Sequence, residues 1–141
     1  SNTTAQLLCL LIPGLSKDVF RILPMETPVI VDGVEVTLLD ANHCPGAVMF
    51  LFRAPNNGPV TLHVGDFRFH ERMKLYPVLS NLKPRDIDFL YLDTTFNDKR
   101  YNFPAQEVII KHCIDVVRSL AECYLLNRLF DNVSSFRFVK G

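Results

Sequence analysis

Neither sign of charge prevails in this sequence, which carries 15 Lys and Arg against 15 Asp and Glu. A stand-alone nucleic-acid binder draws its affinity from a surplus of Lys and Arg that neutralises phosphates, so any such contact here is expected to be local. Cysteine is sparse as well. Cys9, Cys44, Cys113 and Cys123 form no CxxC pair, a pattern that fits reduced thiols of an intracellular protein better than a disulfide framework. Long apolar runs are missing: the stretch from Leu7 is broken at Pro13-Gly14, far short of the ~20 residues that span a bilayer. No basic region precedes it, as a secretory signal requires, and no basic cluster reads as a nuclear-localisation signal. Repeats and low-complexity tracts are also absent. The opening on Ser1 rather than methionine is what a fragment or an excised region is expected to show.

What remains is a chain of 141 residues, 48% of them hydrophobic, long enough to bury one core without disulfides. Thr3 or Thr4 is placed to cap a short helix with Ala5, Leu7, Leu8 and Leu11 on one face, ended by Pro13-Gly14. From Pro28 the pattern turns to strand. Residues 29–31 and 34–39 flank Asp32-Gly33, a hairpin turn signal, and Val34, Val36 and Leu38 alternate with Glu35 and Thr37. Residues 47–52 and 60–64 form a second pair of strands around the turn cluster Pro55-Asn56-Asn57-Gly58-Pro59. Residues 87–92 are a third apolar run. Pro104 suits the first turn of a helix in which Val108, Ile109, His112, Cys113, Val116, Val117 and Leu120 recur at helical spacing. Beyond Ala121 no clear period is visible.

Three strand ends carry polar residues suited to chemistry. His43 follows a strand and precedes Pro45-Gly46, which would fix the direction of its imidazole; a turn histidine bonded to a backbone carbonyl is the plainer alternative. Asp66 follows a strand and Gly65, where the backbone can approach a ligand closely and a carboxylate can bridge two divalent cations, or simply cap a turn. Asp93 closes the third run and is suited either to orienting a ligand or to capping Thr94-Thr95. Imidazole and carboxylate are zinc ligands, yet a catalytic zinc takes three protein ligands and keeps a position open for water. His43 and Asp66 alone make only part of such a site. His63, His70 and His112 are expected to be core or surface residues, and Cys44 a small hydrophobe. Arg68, Lys83, Arg85, Lys99 and Arg100 sit near Glu71, Asp86, Asp88 and Asp98, so solvated ion pairs are expected of them.

The strings Asp40-Ala41-Asn42-His43-Cys44-Pro45-Gly46-Ala47, Gly65-Asp66-Phe67-Arg68 and Tyr91-Leu92-Asp93-Thr94-Thr95 closely resemble motifs of the DNA cross-link repair nucleases, the β-CASP group of the metallo-β-lactamase superfamily. The resemblance extends over residues 1–121, running from a partial metallo-β-lactamase domain into the start of the β-CASP region, with 122–141 as a divergent tail. It implies an α/β (α+β) chain with a mixed sheet and flanking helices, part of an αββα sandwich. By the same resemblance His43 is a ligand of the first metal, Asp66 the carboxylate bridging both metals, and Asp93 the acidic residue supporting the second, so that Asp66 and Asp93 are catalytic. Two zinc ions, a DNA substrate, repair-protein partners and a nuclear location are implied. So is phosphodiester hydrolysis of the 5′ to 3′ exonuclease type, in cross-link repair or DNA end processing. The group's HisXHisXAspHis motif and downstream β-CASP histidines are missing, which leaves two alternatives: a truncated, catalytically inactive product acting through binding, and an RNA-processing relative.

Overall fold

The computed structural model describes residues 1–134, in two compact units that divide between Thr95 and Phe96. The first unit is built on one five-stranded sheet in sequential order, β1 (Val29–Val31), β2 (Val34–Asp40), β3 (Val48–Arg53), β4 (Val60–His63) and β5 (Phe89–Tyr91). Asp32 and Gly33 take φ of +49° and +83°, the pair of left-handed residues that a tight two-residue hairpin requires. They set Val31 opposite Val34. The β3–β4 turn likewise uses left-handed Asn56 and Asn57, which asparagine tolerates better than most residues.

The first four strands pair antiparallel, and β5 joins β4 in parallel. A parallel pair needs a crossover. Here it consists of a 3-10 turn at Glu71–Leu75, the short helix α2 (Pro77–Ser80) and a second 3-10 turn at Pro84–Asp86. Helix α1 (Asn2–Leu11) precedes the sheet. The crossover lays Met73, with Tyr76, Val78, Leu79, Leu82 and Ile87, over a core of Leu39, Ala41, Met49, Leu51, Leu62 and Val64. On the other face Phe50 stacks on Phe52, ring centroids 5.7 Å apart, and His63 stacks on Tyr91.

This direction of chain has a functional consequence. β2, β4 and β5 all run the same way, so their C-terminal ends, Asp40, His63 and Tyr91, lie along one edge of the sheet. The three motifs therefore emerge side by side. The arrangement is α+β with a mixed sheet and flanking helices, as expected.

Several details differ from the sequence reading. α1 is capped by Ser1, whose side chain accepts the Thr4 N–H, not by Thr3 or Thr4. Of its expected apolar face only Ala5 is buried, and Leu7 and Leu11 are exposed. β2 does not alternate between core and solvent: Thr37 and Leu39 are as buried as Val36 and Leu38, because the strand lies inside the sheet with packing on both faces. In the second unit α3 (Gln106–Ser134) starts beyond Pro104 and continues well past Leu120; Ala105 follows the proline, and its carbonyl accepts the first helical bonds, from Val108 and Ile109. Residues 135–141 of the expected tail lie outside the described residues. No helix among the described residues is long and apolar enough to cross a membrane.

Candidate metal centre

The loop that carries His43 is held from two sides. On one side α1 reaches it, since Ser1 Oγ donates to the Gly46 carbonyl at 2.9 Å and Thr4 Oγ1 donates to the same oxygen at 3.0 Å. Gly46 has φ +91°, and a Cβ there would come within 2.9 Å of Thr4 Oγ1, so only glycine fits this close approach. On the other side Asn42, left-handed at φ +52° and buried, donates from Nδ2 to the Arg68 carbonyl at 3.1 Å. The Arg68 N–H returns a bond to the Ala41 carbonyl at 2.9 Å. Arg72 Nη2 donates to Asn42 Oδ1 at 2.6 Å and to Asp40 Oδ2 at 3.3 Å. Tyr76 Oη donates to the Asp40 carbonyl at 3.3 Å. Burial, then the field of the Asp40 carboxylate, push the Tyr76 hydroxyl above its ordinary pKa, against the opposing pull of Arg72.

Asp66 and Asp93 line one surface pocket of about 330 Å³ together with His63, Gly65, Tyr91 and Leu92. Asp93 Oδ1 accepts the Thr95 hydroxyl at 2.6 Å and the Thr95 N–H at 2.9 Å. It therefore caps the Thr94-Thr95 turn, the plainer of its two expected roles, while still facing the pocket. The Thr95 hydroxyl holds the Asp93 carboxyl below its ordinary pKa, helped by the N–H groups of Thr95 and Phe67 and by the field of His43. His43 is exposed on the loop that follows β2, outside the residues that line this pocket.

His63 is a surface residue, one of the two settings expected of it. It is exposed at the pocket, its ring 5.4 Å from that of Tyr91, and its Nδ1 accepts the Gly65 N–H at 3.1 Å. Its position three residues before Asp66, at the end of the same strand, was the available signal. His70 caps the 3-10 turn at Glu71–Leu75 through the Arg72 N–H at 3.0 Å, and His112 is exposed on α3. Cys44 is exposed rather than a buried hydrophobe, and Cys9, Cys44, Cys113 and Cys123 are free thiols. Of the expected ion pairs, Arg100 bonds Asp98 at 3.0 Å. Asp86 and Asp88 instead accept the backbone N–H groups of Lys83 and Val60.

The donors at this edge are chemically suited to zinc, but their number falls short. Among the described residues no three His, Cys, Asp or Glu side chains group closely enough to hold a metal ion, where zinc takes three or four. A complete centre needs donors from elsewhere.

No family model matches the chain. Curated relatives do. Over 101 residues, 72% of the chain, it is 46% identical to the DNA cross-link repair 1A protein of Gallus gallus, of which that match is 10%. It is 38% identical over 120 residues to the DNA cross-link repair protein SNM1 of Arabidopsis thaliana, covering 84% of the chain and 23% of the relative. With human protein artemis the identity is 47% over 91 residues, 61% of the chain and 13% of artemis. The chain spans about a tenth of the length of the DNA cross-link repair 1A proteins it matches. Its sheet and helices are consistent with part of a metallo-β-lactamase fold, and by sequence the chain belongs to the DNA cross-link repair nuclease family of SNM1 and artemis.

Proposed function

We propose that this chain is the portion of a metal-dependent DNA nuclease that carries one wall of its active site. The observation behind this reading is that β2, β4 and β5 end on the same side of the sheet, where Asp66 and Asp93 share a pocket and His43 follows the end of β2. In the complete centre His43 and Asp66 would hold zinc, with the remaining donors supplied from outside the described residues. Zinc held there would supply Lewis-acid chemistry, lowering the pKa of water and stabilising charge on a phosphodiester. The chain's own part is to present the imidazole and the bridging carboxylate in fixed positions, and to hold Asp93 ionised beside them. The substrate is DNA, hydrolysed from a 5′ end during cross-link repair or end processing, with repair proteins as partners and the nucleus as the place of action.

The test is substitution in the full-length protein that contains these residues. Asp66→Ala is expected to remove bound zinc and cut cleavage of DNA from a 5′ end by at least about a hundredfold, the scale on which a directly acting group contributes. Unchanged zinc content and cleavage would sink the assignment. One observation favours a second reading, that the chain by itself is an inactive product acting through binding: the incomplete donor set among its described residues. The intact mass of the endogenous polypeptide separates the two, since a mass near 16.1 kDa supports the binding product and a much larger one the nuclease.

A further inference from the structure

Two residues outside the expected motif roles, Asn42 and Arg72, connect the loops on which His43 and Asp66 sit. Asn42 is the immediate neighbour of His43, and Arg68 lies two residues after Asp66. A single buried amide joins the two loops, with Nδ2 donating to the Arg68 carbonyl and Oδ1 accepting from Arg72. The return bond from the Arg68 N–H to the Ala41 carbonyl makes the link double. Arg72 is itself fixed to the Asp40 carboxylate, and the Asn42 N–H donates to that same side chain at 3.0 Å. The result is a closed circuit, Asp40 to Asn42 to Arg72 and back to Asp40, built on β2 and the crossover and tied to the Asp66 loop through Arg68.

From this geometry we infer that Asn42 and Arg72 are positioning residues, which set the distance between His43 and Asp66 before any metal arrives. Three features support a positional role over simple loop stability. Asn42 is held at positive φ, a conformation that asparagine and aspartate adopt more easily than other side chains. Its amide is the group that suits both ends at once, since the Arg68 carbonyl needs a donor and the Arg72 guanidinium an acceptor. Arg72 uses one nitrogen to reach two acceptors at the end of β2, Asp40 Oδ2 and Asn42 Oδ1, so its loss would release both. Groups that orient ligands in this way typically change metal affinity by about 10–100-fold when removed.

The inference rests on the reading of His43 and Asp66 as metal holders, and the experiment separates the two. In the full-length protein, Asn42→Asp keeps the backbone preference and the contact to Arg72 but loses the donor to the Arg68 carbonyl. Arg72→Met removes the charge, and Arg72→Lys restores it with one reach in place of two. Amide hydrogen exchange of the metal-free proteins, zinc affinity by chelator competition and the unfolding midpoint are measured together. Asn42→Asp and Arg72→Met are expected to speed exchange in residues 41–44 and 66–69 and to weaken zinc by about 10–100-fold, with Arg72→Lys between them and the parent. If the variants lower only the midpoint, while loop exchange and zinc affinity stay at parental values, the network is merely structural and the inference is overturned. A parent that binds no zinc overturns both readings; a parent that binds zinc beside variants that match it overturns only this one. Should Asn42→Asp fail to fold, the comparison of Arg72→Met with Arg72→Lys decides alone.

Discussion

Asp93 shows how one residue can satisfy a plain role and a chemical one together. Its carboxylate takes two bonds from Thr95 and faces the pocket that it shares with Asp66. Because those bonds favour the ionised form, its pKa in the folded chain lies below the ordinary 3.8. A depressed carboxyl pKa stabilises the fold fully above the unfolded value, and that contribution disappears as pH falls through the folded value. Asp93 is therefore ionised throughout the neutral range, ready to orient a cation or a histidine. Thr95→Val deletes the largest of the lowering influences, the hydroxyl donor, and is expected to raise the Asp93 pKa toward 3.8 while leaving the N–H bond in place. Carbon-detected NMR titration of the Asp93 carboxyl reads this directly, and an unmoved midpoint would mean that the hydroxyl does not set it. At this scale the sequence was partly legible: the types and order of His43, Asp66 and Asp93 pointed to a site. The place of His63 at the pocket and the bonds of Arg72 were not visible, because one depends on the parallel register of β4 with β5 and the other on where the crossover lands.

The elements were most legible where local rules are strong. Asp32-Gly33 fixed the first hairpin because both residues must adopt left-handed backbone, and the structure places the turn there. β2 was read as half-exposed, since Glu35 and Thr37 interrupt Val34, Val36 and Leu38. Its position inside the sheet overrode that pattern and buried Thr37 to 1% exposure. The crossover was missed for a related reason: its turns are too short to show a period. Its anchor is the core beneath it, where Leu51 is fully buried between Thr37 and Leu62 in the strand register. Leu51→Ala leaves a cavity that the sheet cannot close and is expected to cost about 2–5 kcal/mol. Denaturant unfolding measures this, and a loss well under 1 kcal/mol would show that the sheet relaxes around the gap. The same substitution at exposed Leu75 is expected to stay within about 0.5 kcal/mol, as is usual for surface sites.

At the scale of the molecule the sheet presents a prepared edge with too few donors and too much apolar surface. Phe89, Leu90 and Tyr91 of β5 are all more than half exposed, and a cavity of about 570 Å³ opens among Met49, Leu62, Val64, Phe67, Leu79 and Leu82. Exposed faces of this kind forgo burial worth about 25 cal/mol for each Å², so the isolated chain is expected to be marginally stable. The same incompleteness governs metal binding. A full ligand set on a structural zinc contributes about 10–16 kcal/mol, because each donor adds to one shared ion. Here His43 and Asp66 stand without a third close donor among the described residues, so the isolated 141-residue chain is expected to lose zinc to a mild chelator and to gain little thermal stability from it. By linkage, a ligand present at about 100 times its dissociation constant would add about 2.7 kcal/mol to the folded state. Calorimetric titration of the chain with zinc, followed by thermal melts with and without the ion, distinguishes the cases. Tight uptake of two ions with a raised midpoint would show that the edge holds a complete centre, and would remove the reason for seeking the remaining donors elsewhere.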